Sequence, residues 1–365
     1  PHRRTRRRRP PVGGRGGRVT RWVVILAGGV GSRFWPLSTP TRPKQLLPLI
    51  DERPLLRNTV DRLLPLASAD RILILTNASL VEPIHALLPE IPRANLVAEP
   101  RPAGTAAALA WAASLIASRD GDEAVMLSVH ADWAIADAQG FRDALTRAAT
   151  LAVARHALVT VGVVPSRADP GFGYIRPGEA LAGDGEEGRH VAQFVEKPSR
   201  ERAAEMVRDG YLWNSGIFVW RVGDFLREVE AHTPEVAPAL AQARGDIARF
   251  FASVQSISVD VGVLERTGNV VVIPGEFGWD DVGTWAALAR VRARDGAGNA
   301  TNGPVHVVDA RDNVVHAEGG DVVLYGVRDL VIVVREGLTL VTTKERAADL
   351  KTLLDALPSA VRERT

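Results

Sequence analysis

WVVILAGGVGSRFWPLSTPTRPKQLLPL, residues 22–49, passes from a six-residue apolar run directly into Gly28, Gly29 and Gly31, and then carries Arg33 and Lys44 between prolines. An uninterrupted apolar run rich in β-branched residues reads as a strand buried on both faces, the kind that parallel sheets contain. Glycines placed directly after such a strand let backbone N–H groups turn toward an anion with no Cβ in the way. Arg33 and Lys44 supply the countercharge. The pattern is neither GxGxxG nor a loop ending in GK[ST], so on these residues alone a phosphate cradle and a plain strand-to-helix turn stand equal.

The same punctuation recurs in RILILT (71–76), NLVAEP (95–100) and AVMLSV (124–129), with amphipathic segments near 54–66 and 79–88 and another from Thr105. Alternation of this kind predicts a doubly wound α/β domain whose ligands gather at the carboxyl ends of the strands. Residues 157–220 break the rhythm with LVTVGVV, a glycine-rich turn over 170–178, RHVAQFVEKP and SGIFVW, which predicts an inserted β layer over the sheet. From residue 300 onward, short Val-rich strands separated by turn residues read as a small β-helix or β-prism appendage closed by a helix within KERAADLKTLLDAL. The chain divides accordingly into a tail (1–21), a main domain (22–292) and a C-terminal region (300–365).

Composition bounds the chemistry. The 365 residues contain no cysteine, which excludes disulfides, thiolate zinc sites and cysteine nucleophiles and fits a reducing compartment. Neither HExxH nor GxSxG occurs. Residues 1–21 hold nine arginines and no acid, so the net charge of +2 becomes −7 for the remainder once those nine are set aside. A mildly acidic body is a poor nucleic-acid surface, and the basic tail reads as a disordered extension. No apolar run approaches the ~20 residues of a membrane-spanning helix.

LAGGVGSRFWPLS followed by PKQLLPL closely resembles the signature of sugar-1-phosphate nucleotidylyltransferases, in the form found in mannose-1-phosphate guanylyltransferases. The resemblance implies a Rossmann-like nucleotidyltransferase domain with a left-handed β-helix-like C-terminal region. It places Leu26, Ala27, Gly28, Gly29, Gly31 and Ser32 around a nucleoside triphosphate, Arg33 on its phosphates and Lys44 at the reacting α-phosphate. AEPRPAGTAAALAWAA (98–113) is similar to the family's nucleobase element and implies binding roles for Glu99, Gly104 and Thr105, with Ala103 where family members commonly carry Arg. By residue type alone, Thr105 would cap a helix.

AVMLSVHADWAI (124–135) and EFGWDDVGTWAAL (276–288) resemble the two metal-binding motifs, which selects Asp132 and Asp281 as Mg²⁺ ligands. A hard cation wants carboxylates plus phosphate oxygens, although singly either Asp would read as a turn or cap residue. FVEKP, WNSGIFVW and PGFGYI resemble sugar-side motifs, implying that Glu196, Lys197, Asn214, Gly173 and Tyr174 bind the sugar phosphate. SVDVGVLERTG adds Asp260 and Glu265 as further contacts at most. The implied reaction transfers GMP from GTP to α-D-mannose 1-phosphate, giving GDP-mannose and pyrophosphate, in a cytoplasmic homodimer with no nucleic-acid or membrane partner. Other hexose 1-phosphates form the alternative within the class. A silent nucleotide-sugar sensor is the alternative outside it, and such a protein is expected to lose the Arg, Lys or Asp positions retained here. The residues leave no room for the additional phosphomannose isomerase domain of some related proteins, so a single activity is expected.

Overall fold

The computed structural model describes residues 19–29, 32–181, 183 and 188–362, with the Ser32 side chain excepted. The tail through residue 18 and Gly31 therefore lie outside the described residues. Arg21, assigned to the tail from sequence, is the first residue of the first strand.

The amino-terminal half follows the predicted alternation: β1 (Arg21–Leu26), α1 (Leu55–Leu63), β2 (Ile72–Asn77), α2 (Val81–Leu87), β3 (Leu96–Glu99), α3 (Gly104–Asp120) and β4 (Val125–His130). These four strands are parallel in the order β3-β2-β1-β4, and the interiors of β1, β2 and β4 are buried. α3 is buried along Ala106–Ala113, because small side chains let it lie close on the sheet. A two-residue strand β5 (Ala134–Ile135) and α4 (Ala138–Arg155) follow, with Asp137 capping α4 through the amides of Gln139 and Gly140.

The predicted separate β layer is not present. β6 (Leu158–Val163), β7 (Tyr174–Ala180), β8 (Arg189–Val195), β9 (Leu212–Arg221) and β10 (Val270–Gly275) extend the same sheet, giving the order β3-β2-β1-β4-β9-β6-β10-β8-β7. The sheet is mixed rather than purely parallel, since β9 runs antiparallel to both β4 and β6. β7 also pairs with β9 through Tyr174↔Trp213 and Ile175↔Leu212, so β9-β6-β10-β8-β7 closes into a ring around Ile175, Leu212 and Val272. A sequence pattern reports which face of a strand is apolar, but not which neighbour it joins. The helices α5 (Arg200–Arg208), α6 (Val222–His232), α7 (Ala237–Ala243) and α8 (Ile247–Ser253) lie between β8 and β10 in the chain. The short β11 (Trp279–Asp280) and α9 (Leu288–Val291) complete the main part.

Beyond it, β12 (Ala300–Asn302), β13 (Val305–Val308), β14 (Val314–Ala317), β15 (Val322–Tyr325), β16 (Leu330–Arg335) and β17 (Leu338–Thr343) precede α10 (Leu350–Ala356) and α11 (Ser359–Arg362). β12-β14-β16 form one parallel ladder and β13-β15 another. One core joins this region to the signature loop, uniting Phe34, Trp35, Leu37, Leu47 and Leu49 with Val314, Val331, Val333 and Leu350. Polar ties reinforce it: buried Arg292 donates to the carbonyls of Leu49 (2.6 Å) and Val315 (3.1 Å), and Arg335 donates to that of Pro36 (3.0 Å). Arg42 grips Glu318 with two parallel hydrogen bonds of 2.8 Å each.

The nearby His316 ring, 3.7 Å away, and the Arg42 fork pull the Glu318 carboxyl down to about 2. Because the folded value lies below the unfolded one, this stabilisation is present above pH ~4.5 and is lost as the pH falls from there toward 2. Glu318→Gln is expected to cost about 1–2 kcal/mol at neutral pH, discounted for the partly exposed Arg42. Urea unfolding at a series of pH values checks this: the gap from wild type should hold above pH ~4.5 and shrink between there and pH ~2.

Candidate active site

The carboxyl ends of β1, β3 and β4 meet around a cavity of about 320 Å³ lined by Leu26, Ala27, Gly28, Gly29, Glu99, Gly104, Thr105, His130 and Asp132. Seven of the nine nucleotide residues expected from sequence are thus in one wall. The other two are Gly31, outside the described residues, and Ser32, whose side chain is not described. A Cβ built on Gly28 or Gly29 would meet no atom of the described residues beyond its chain neighbours within 4 Å. Protein packing does not demand glycine there, whereas a ligand lying against the backbone would. The Ala27 carbonyl is held by Gln45 Nε2 (2.7 Å) and Thr76 Oγ1 (3.1 Å), which fixes where the turn departs from β1. Gln45 is a site-lining residue that the sequence reading missed. Its only signal was its place beside Lys44.

Lys44 ties the site together. Its buried ammonium donates to Asp132 Oδ2 (2.9 Å) and to the main-chain oxygen of Asp281 (2.7 Å). The meeting has a local cause: β5 pairs antiparallel with β11 in the register Ala134↔Asp280 and Ile135↔Trp279, so the residues just before β5 and just after β11 lie at the same end of this ribbon. Burial pushes the Asp132 carboxyl up, but the charge of Lys44, that of His130 and the Lys44 hydrogen bond outweigh it and bring it below its ordinary value. Asp281 goes the other way, raised by burial and by the neighbouring charge of Asp280. Asp280 faces elsewhere and is held by Arg290 at 2.7 and 3.0 Å. The adjacent acids therefore differ in their partners. Among the described residues no cluster of three or more metal-type side chains occurs. Two carboxylates, one short of countercharge, fit a hard divalent cation whose remaining ligands are phosphate oxygens and water.

A second, much smaller cleft of about 10 Å³ is lined by Gly173, Tyr174, Glu196, Asn214, Asp260 and Glu265. Asn214 Nδ2 donates to Asp260 Oδ1 (2.7 Å). Burial raises the carboxyls of Asp260 and Glu265, and the surrounding acids add to the shift. His130 joins the two clefts electrostatically: burial lowers its pKa while Asp132 and Asp260 oppose that change. Lys197 is exposed, takes a left-handed φ of 43° and pairs with Glu196 at 2.7 Å.

Three residues sit otherwise than their motifs imply. Tyr174 is fully buried at the start of β7, and its hydroxyl is bonded to the backbone of Asp169. Thr105 does not cap α3; its Oγ1 accepts from Val259 N (2.8 Å), tying the helix to a π-helical turn, Asp260–Leu264. Arg33 is exposed in a 3₁₀ turn and lines neither cleft.

Gly104 has a steric reason to be glycine. Its φ is +79°, and a Cβ there would lie 2.2 Å from the Ile257 carbonyl oxygen. Gly104→Ala is expected to destabilise by about 2–4 kcal/mol, combining left-handed strain with a backbone clash. Denaturant unfolding measures this, and a change within ~0.5 kcal/mol would show that the loop yields freely.

Comparison with known proteins bears on this geometry. The nucleotidyl transferase family profile matches residues 22–297. The chain belongs to that family. It is 37% identical over 356 residues to a mannose-1-phosphate guanylyltransferase from Escherichia coli (strain K12), covering 92% of this chain and 73% of that one. It is 36% identical over 352 residues to a mannose-1-phosphate guanylyltransferase from Salmonella muenchen, covering 92% and 72%. A crystal structure described as mannose-1-phosphate geranyltransferase from Thermus thermophilus matches with a TM-score of 0.85 at 31% identity, covering 92% of this chain and 99% of that one. No helix among the described residues of this nucleotidyl transferase is long and apolar enough to cross a membrane.

Proposed function

We propose that this nucleotidyl transferase moves GMP from GTP to α-D-mannose 1-phosphate, releasing pyrophosphate and GDP-mannose. The observation that carries the reading is Lys44 bonded at once to Asp132 and to Asp281, beside a glycine turn open to a ligand. The relatives named above support the choice of substrates. The triphosphate would lie along Gly28 and Gly29 with its base toward Glu99, and the sugar phosphate would enter past Gly173, Glu196 and Asn214. Lys197 would leave Glu196 to meet the sugar's phosphate, and Arg33 would swing onto the triphosphate.

An oxygen of the sugar phosphate attacks the α-phosphorus in line while the bond to pyrophosphate breaks. Both reactants are anionic, so this chain's main tasks are to hold them together and offset their charge. Asp132 and Asp281 would hold Mg²⁺, which supplies neutralisation of phosphate charge when bound. Lys44 stabilises charge on the α-phosphate. Pyrophosphate release with GTP and mannose 1-phosphate, set against ATP, UTP, dTTP and glucose 1-phosphate, tests the reading. Faster turnover with another pair would replace it.

Glu99 makes a further prediction. Its side chain has no hydrogen-bond or ion-pair partner among the described residues, and burial pushes its carboxyl up to about 7. Guanine offers N–H donors at N1 and N2, which pair with a carboxylate but not with a carboxylic acid's hydroxyl. The binding form is the ionised one, so the KM for GTP should fall roughly tenfold as pH rises from 6 to 8. Glu99→Gln should flatten that profile.

We read residues 22–292 as the catalytic domain, and the stacked ladders of 300–365 as a β-helix-like coil that braces its signature loop. Val308, Val323 and Tyr325 are exposed on neighbouring strands of that coil and would be covered in a homodimer. A cytoplasmic setting agrees with the absence of cysteine.

A further inference from the structure

Behind the β5–β11 ribbon, on the side of Asp280 rather than Asp281, lies a cavity of about 600 Å³ that the reaction does not use. Its volume falls within the range of small-molecule sites. Its walls come from α1, α4, α9 and the segment after β6, and they hold five arginines: Arg53, Arg62, Arg142, Arg167 and Arg290.

Three of these are neutralised locally. Arg53 pairs with Asp61 (2.8 Å), Arg290 with Asp280 (2.7 Å) and Arg167 with Asp169 (2.9 Å). Arg62 and Arg142 differ, since among the described residues neither has a carboxylate within 4.0 Å. Arg142 donates only to neutral oxygens, the Gln139 side chain (2.6 Å) and the Arg62 carbonyl (3.4 Å). Arg62 lies over the Phe141 ring at 5.9 Å. Burial, followed by the charge of Arg142, depresses Arg62 to about 10, with Asp51 opposing. Two neighbouring guanidinium groups that repel each other inside a partly desolvated cavity represent stored electrostatic cost, which a bound anion would relieve.

We propose that this cavity is a second ligand site, separate from the catalytic clefts, which takes a phosphate dianion, free or as a monoester, between Arg62 and Arg142. Planar guanidinium forks match phosphate oxygens geometrically. In the lining, Ser166 and the Asn58 side-chain oxygen, whose amide nitrogen is taken by Asp51 (3.0 Å), supply neutral hydrogen-bonding groups for the rest of an ester. The site communicates with the reaction centre by contact: Asp280 precedes Asp281 in the chain, and Arg167 reaches from Asp280 (3.5 Å) to the faces of Phe172 and Trp213 beside the sugar cleft.

Isothermal titration of the full chain with inorganic phosphate, and separately with glucose 6-phosphate, tests the site. Binding should persist in Lys44→Met, which disables the catalytic cleft, and should weaken at least tenfold in Arg62→Gln/Arg142→Gln. Arg142→Gln alone, on the less buried helix, should weaken it at least threefold and guards against misfolding of the double variant. Trp279, which lines the cavity and packs on Trp133, should report binding through tryptophan fluorescence. Tighter binding of glucose 6-phosphate would identify the ligand as an ester, and tighter binding of phosphate would identify it as the free ion. The proposal is overturned if wild type binds neither, if Lys44→Met abolishes binding, or if the arginine variants bind as wild type does.

Discussion

Lys44→Met is expected to lower kcat by roughly 10³-fold, equivalent to about 4 kcal/mol of lost transition-state stabilisation, while shifting the melting temperature by only a few degrees. The asymmetry follows from the surroundings of this ammonium. It is buried, and both of its hydrogen-bond acceptors, Asp132 Oδ2 and the Asp281 carbonyl, belong to the proposed reaction centre. A methionine preserves the packing against Phe34 and removes a charge that was itself costly to desolvate. Asp132 keeps enough solvent contact for water to replace part of the lost partner. Steady-state kinetics alongside thermal unfolding checks the pair of effects. Equal losses in turnover and stability would make Lys44 a structural residue and remove the basis of the mechanism.

Asp281→Asn is expected to move activity and stability in opposite directions. Turnover should drop about 10²–10³-fold, because a proposed ligand for the cation is gone. Stability should rise, and the sign follows from linkage. Burial and Asp280 raise the Asp281 pKa in the folded state above its unfolded value. The folded protein therefore holds that proton more tightly, and ionisation costs stability increasingly as pH climbs above ~4. Asparagine removes the charge while its Oδ1 can still accept from the Gly283 amide, a bond of 3.2 Å in the parent. The gain over wild type should vanish near pH 3, where both side chains are neutral. Asp280→Asn provides the contrast, since it loses charge from the Arg290 fork and should be destabilising at pH 7. Stabilisation by the Asp280 change and destabilisation by the Asp281 change would reverse the assignment of the two acids.

Much of this protein could be read along the chain because its chemistry is contiguous there. The glycine turn, Lys44 and Asp132 follow or accompany buried parallel strands, and such strands announce themselves as continuous apolar runs. That is why β1 to β4, the helices between them and the position of the glycine turn were legible. Glu99 and Gly104 were singled out by likeness, but the steric reason for the glycine, an Ile257 carbonyl that a Cβ would meet at 2.2 Å, depends on a segment about 150 residues away.

The tertiary structure decided what depends on partners. LVTVGVV and SGIFVW look alike whether they form a separate layer or the middle of the main sheet, and only pairing through β9 made them the latter. Tyr174 and Thr105 each carry a hydroxyl suited to a ligand or a cap, yet the backbone of Asp169 and that of Val259 claim them. Above all, Asp132 and Asp281 are distant in sequence, and the two-residue register of β5 against β11 brings them to one lysine. Apolar periodicity is a local property written in consecutive residues, so the sequence by itself determined the strands and the cationic loop. Which carboxylate faces that loop is set by strand register and the hydrogen bonds of remote chain segments, and only the folded structure could decide it.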